Sequence, residues 1–194
     1  MTQRAASCTV DVAHPEGNKI LIFINRPDTN WIDYIRFDER DPTNEETIET
    51  GKVGTSKGPI PVLSGPMSCV AMKCQPAQNK STTDIRLYFV MDNKVTEAVF
   101  AGVGPKSKLD SGWLLPDEKT TDPLSIMKGV SRNSRAIDQS SYMSSGIVKT
   151  PGGHFPYIIW QASGQATSTQ YACATKDNDR VKWSLNNVSI TLKT

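Results

Sequence analysis

The sequence predicts an all-β chain. It reads as part of a β-propeller, with three blades of four antiparallel strands in a single domain, residues 1–194. Three observations predict this. Short runs rich in Ile, Val, Tyr, Phe and Thr, bounded by Gly, Pro, Asn and Asp, dominate the chain. The runs recur three times in one order. Their apolar residues do not alternate cleanly with polar ones, as expected of small sheets that bury both faces.

Each unit opens with a Ser-led strand: "SCTVDV" (7–12), "SCVAMK" (68–73) and "SYMSSGIV" (141–148). An apolar strand follows, in "KILIFI" (19–24), "DIRLYFV" (84–90) and "YIIWQ" (157–161). A mixed strand comes third, in "WIDYIRF" (31–37), "KVTEAVF" (94–100) and "STQYACA" (168–174). A short fourth piece closes the unit, in "GKVG" (51–54), "GWLL" (112–115) and "KWSL" (182–185). The units cover roughly 5–64, 65–138 and 139–194. Repeated four-stranded units of this size read as propeller blades. The competing architecture is an irregular β-sandwich whose strands merely look alike. Only "DPLSIMKGVSRNSRAI" (122–137) has room for a helical turn, and Gly129 weakens it.

Three blades do not close a ring, because propellers typically need about four to eight. An arc of three leaves two apolar faces in water. A symmetric pair of chains covers them, so a homodimer with six blades is expected.

"MDNK" (91–94) signals a hairpin with Asp92-Asn93 at the turn. Counting back, Met91 pairs with Lys94, Tyr88 lies opposite Glu97, and Arg86 lies opposite Val99. Arg86, Tyr88 and Glu97 then share one face, with Arg86 and Glu97 diagonal neighbours about 7–8 Å apart at the backbone. The plain reading is a cross-strand ion pair, which contributes little where exposed. Partly buried on a blade face, the pair needs further hydrogen-bond partners. A ligand hydroxyl supplies them, donating to the carboxylate while accepting from the guanidinium. A tryptophan suits the C–H face of a sugar ring. Trp113 begins the fourth strand of the second unit, and Trp183 holds the matching place in the third. Core packing is the alternative for Trp113, and Trp31 and Trp160 read as core.

The set "IRLYF…VTEAVF…GW" resembles one repeat of the fungal fucose-specific lectins. Those are six-bladed propellers that bind L-fucose in clefts between blades, with an Arg on the second strand, a Glu on the third and a Trp at the fourth. The resemblance implies that Arg86 and Glu97 hold the sugar's hydroxyls and ring oxygen, that Trp113 or Trp183 stacks on its ring or methyl, and that the partner is a fucosylated glycan. It implies a binding protein, not an enzyme. The first unit departs from the pattern, with Leu21 at the Arg place, Asp33 at the Glu place and Lys52 at the Trp place. The third has Tyr157 and Ser168 at the Arg and Glu places and keeps Trp183. Only the middle unit carries the full set.

Other chemistries find less support. Hydrophobic residues at 37% and charged residues at 22% describe a globular chain. A net charge of +2 with no clustered basic face argues against nucleic acid. No apolar run is long enough for a membrane helix, so no membrane insertion is expected. No secretory signal is visible, so a cytoplasmic or non-classically secreted protein is expected. Four cysteines allow three pairings, and free buried thiols are expected in their place. Asn79–Ser81 and Asn187–Ser189 fit the glycosylation sequon. "GTSKG" (54–58) matches the G-x-S-x-G nucleophile elbow, but the prolines of "PIPVLSGP" deny it the following helix. His14 and His154 have no metal-ligand spacing, and the acidic run 37–49 lacks the calcium-loop register. No cofactor is expected.

Overall fold

The computed structural model describes residues 5–12, 18–26, 28–62, 65–74, 82–103, 107–116, 136–137, 142–151, 153–163, 168–177 and 180–189. The proposed helical turn falls almost wholly outside these residues, as do His14 and the first sequon.

Three antiparallel sheets follow one another along the chain, each with its strands in sequence order. The first blade has β1 (Ala6–Val12), β2 (Lys19–Asn25), β3 (Ile32–Asp38) and β4 (Glu49–Lys52). A small hairpin follows it, β5 (Gly54–Thr55) and β6 (Gly58–Pro59). The second has β7 (Ser68–Cys74), β8 (Thr82–Met91) and β9 (Lys94–Val103), and its fourth place is held by a bridge between Val99 and Leu114. The third has β10 (Met143–Thr150), β11 (Gly153–Gln161), β12 (Ser168–Asp177) and β13 (Arg180–Ser189).

The sheets stack in series, as blades do, and not as two facing layers. One core lies between the first and second blades, where Leu21, Phe23 and Ile32 meet Ile85, Leu87 and Phe89. A second lies between the second and third, where Val70, Tyr88 and Val90 meet Ile158 and Trp160. The second blade therefore buries both faces, which is why residues 85–90 and 95–100 of its central strands are buried without alternation. The opening strands β1, β7 and β10 touch across the blades.

The two end blades bury chiefly one face each. On the first blade, Leu21, Phe23 and Tyr34 are buried toward the second blade, while Ile20, Ile22, Ile24, Ile35 and Phe37 on the other face are half-buried. On the third, Ile158 and Trp160 are buried toward the second blade. Tyr157 and Ile159 on its outer face are half-buried, and Val148 is exposed.

The second blade is also tied to the first by its tail. Gly54 donates its amide to the carbonyl of Leu109, and its own carbonyl accepts from the Trp113 amide. A Cβ at Gly54 would stand 2.1 Å from the Asp110 carbonyl oxygen, so this approach requires glycine.

Candidate functional site

Asp92 and Asn93 both have left-handed backbones, with φ of 52° and 60°. A two-residue turn of that kind matches the twist of the strands it joins and fixes their register. Met91 pairs with Lys94, Tyr88 with Glu97 and Arg86 with Val99, as expected from the sequence. Arg86, Tyr88 and Glu97 therefore share a face, and it is the face turned toward the third blade. Arg86 Nη1 donates to Glu97 Oε1 at 2.8 Å, with side-chain exposures of 2% and 0%. A charge pair this deep costs desolvation unless its remaining hydrogen-bonding positions are well used.

The opposing wall comes from the third blade. The hydroxyls of Ser68 and Ser145 meet at 2.6 Å, which sets the blades' relative height. At the other end, the Ile137 amide donates to the Asn93 carbonyl while Ile137 bridges to Ala162, so the blades run alongside in the same sense. Two residues along from the serines, Val70 and Arg86 pair on the second blade and Ile147 and Pro156 on the third, with Val70 and Ile147 in the core the two blades share. Trp183 pairs with Ala174 and packs against that same core from the third blade's last strand. Its indole Nε1 is buried and has no hydrogen-bond partner among the described residues; the same holds for Trp160, deeper in the same core. An orphaned buried donor is costly and invites a partner.

The structure divides the two candidate tryptophans. Trp183 lies against the core between the second and third blades. Trp113 does not reach this groove. It is buried between the first and second blades, edge-on to Phe23 at 5.6 Å and to Phe100 at 5.5 Å. The reason is register. Leu114 pairs with Val99 and so takes the Arg86 face, leaving Trp113 to point the other way. Leu114 stands 62% exposed at the groove's outer rim.

The side units differ from the sequence alignment for the same reason. In the first, Phe23 pairs with Tyr34, so Tyr34 occupies the place corresponding to Glu97, and Asp33 faces outward. Asp33 instead accepts from Trp31 Nε1 and Arg26, and Lys52 lies over the Trp31 ring at 3.7 Å. In the third, Tyr157 keeps the Arg place on the outer face, but its strand pairing puts Tyr171, not Ser168, at the Glu place.

A second Arg–Glu pair was not singled out by the sequence. Arg36 and Glu49 meet on the first blade's inner face, where Tyr34 also donates to Glu49 at 2.9 Å. Arg36 Nη1 donates to the Ser107 carbonyl at 2.9 Å, fastening the first blade to the segment after β9. The signal was present in "WIDYIRF", where Arg36 shares a face with Tyr34. Burial, with the Glu49 hydrogen bond second, pushes the Tyr34 phenol up to about 12.

The remaining motifs are structural. "GTSKG" forms the β5–β6 hairpin with Ser56 at its turn, not the strand–turn–helix that an elbow needs. The acidic run forms a 3-10 turn, Glu45–Thr47, capped by Asn44 accepting from the Glu46 amide. His154 lies on β11, and no cluster of possible metal ligands occurs among the described residues. No helix among the described residues is long and apolar enough to cross a membrane.

No protein-family model matches the chain, and no curated protein matches it. Solved structures do. A variant of the Aleuria aurantia lectin, in complex with alpha-methyl-L-fucoside, superposes with a TM-score of 0.58 at 15% identity, covering 95% of this chain and 49% of that one. Another structure of the Aleuria aurantia lectin, described as a six-bladed beta-propeller with a novel fucose recognition mode, gives a TM-score of 0.57 at 15% identity over the same shares. AofleA from Arthrobotrys oligospora gives 0.55 at 13% identity, covering 96% of this chain and 43% of that one. This chain spans about half the length of these relatives. At such identities the likeness concerns architecture: the chain is a partial β-propeller, similar to half of the six-bladed fungal lectins.

Proposed function

We propose that this protein is a non-catalytic carbohydrate-binding lectin, that its site is the groove between the second and third blades, and that L-fucose is the sugar. The observation that carries the reading is the buried Arg86–Glu97 pair on the blade face turned toward the core against which Trp183 packs, an indole whose N–H is buried without a partner among the described residues. A sugar hydroxyl donates to Glu97 and accepts from Arg86, in charge-assisted bonds. The Trp183 ring covers the sugar's C–H face or methyl, and its N–H donates to a further oxygen. Tyr88 lines the floor. That a similar structure holds alpha-methyl-L-fucoside, and another is described by its fucose recognition, supports the choice of sugar. Entry requires the groove to part at its rim, where Leu114 is exposed. A single site of this size binds weakly, and repetition supplies avidity.

Titration with L-fucose, followed by tryptophan fluorescence, tests the reading. The intact protein is expected to respond and to saturate, and Trp183→Phe is expected to weaken binding about tenfold through loss of the donor. A flat titration, confirmed by silence on a glycan array, overturns it.

The depth of the charge pair also favours a second reading, a protein-interaction or structural propeller in which the pair serves the fold. That reading predicts normal folding, no sugar response and a protein partner in pull-downs.

The proposal includes a second copy of the chain. The half-buried face of the first blade and that of the third are the surfaces that adjoining blades cover in a closed ring. The half-length match to six-bladed structures supports two copies per ring.

A further inference from the structure

We infer that Cys8 and Cys69 are a redox-switchable pair, whose disulfide staples the opening strands of the first and second blades. The inference does not rest on the lectin reading.

The two residues sit on β1 and β7, neighbouring strands of adjacent blades. Cys8 packs against the core that contains Cys69. By strand register they hold the places that Ser68 and Ser145 hold one blade along, where the two side chains meet at 2.6 Å. Both are free in the structure. Two side chains set toward one another, on strands held by the packing around them, need little backbone movement to join. The partners are 61 positions apart in sequence, so the bond would close a long loop in the unfolded chain.

The difference in exposure assigns roles. Cys8 is half-buried and Cys69 is buried. With a small disulfide such as oxidised glutathione as oxidant, the Cys8 thiolate attacks one sulfur and expels one glutathione thiolate. The Cys69 thiolate then attacks the Cys8 sulfur of the mixed disulfide and expels the second. Two protein thiols lose two protons and two electrons, and one glutathione disulfide becomes two glutathiones. The hydrogen bond with Cys69, and then burial, hold the Cys8 thiol far above the ordinary cysteine value, so it is a slow nucleophile.

The test is equilibration of the intact chain with oxidised glutathione, followed by non-reducing peptide mapping and thermal unfolding. A Cys8–Cys69 crosslinked peptide is expected, with Tm raised on the order of 5–10 °C. Cys8→Ser and Cys69→Ser are each expected to fold and to lose the oxidation-dependent rise. Retention of both thiols in folded protein overturns the inference. So does a different pairing, such as Cys69 with Cys74, or an equal rise in Cys8→Ser.

Discussion

Arg86 and Glu97 depend on one another more than on the blade. Replacing Arg86 with Ala leaves a carboxylate fully buried without its cation, which costs about 3–5 kcal/mol. Replacing both with Met and Leu removes the charge and the need for it. Urea unfolding is expected to show Arg86→Ala strongly destabilised and the double variant near the parent. Equal losses in both would mean that the groove needs polarity for its fold. The contrast also guards the sugar assay, since a variant that unfolds says nothing of binding; Trp183→Phe is the cleaner probe. Tyr34 offers a pH signature. Its phenol is pushed up from 10.0 to about 12, so the protonated form is favoured by folding. The stability it contributes is complete below about pH 10 and is lost as the pH rises through about 12. Spectrophotometric titration is expected to show one phenol ionising late, and Tyr34→Phe is expected to abolish that step.

Among the elements, the legible parts were those with short connections. "MDNK" gave the β8–β9 register outright because a two-residue turn leaves the pairing no freedom. Longer connections do not fix phase. The connection from Arg26 to Trp31 between β2 and β3 lets the strand enter one residue out of step with a motif alignment, so Tyr34 takes the place assigned to Asp33. One residue is enough to change faces. The same slip sends Trp113 into the wrong groove for a ligand and into the right place for a core. No local signal in "SGWLL" shows which of Trp113 and Leu114 pairs with Val99. The tail that decides this is held by Gly54. Gly54→Ala places a Cβ against the backbone of Asp110, where no side chain can yield. It is expected to cost about 1–3 kcal/mol in chemical unfolding. An unchanged midpoint would show that the tail is not anchored there.

For the whole molecule, the order of strands and the stacking of three sheets followed from the repeat, because each sheet had to bury faces it could not cover itself. The partner that covers the outer faces could not be read in the same way, since an arc looks alike whether a second copy or more of its own chain completes it. Sedimentation equilibrium is expected to return twice the chain's 21.3 kDa. A strict monomer at micromolar concentration would remove the second copy.

The blades are unequal, with the charge pair on the second blade alone turned toward the core that Trp183 covers. A twofold axis along the channel would turn the groove there into its twin without turning the disc over. Both would then lie at one height, half a turn apart. With each taking a sugar as proposed, such a molecule would hold a sugar-coated surface by two equal grips, and separating the chains would cost the second.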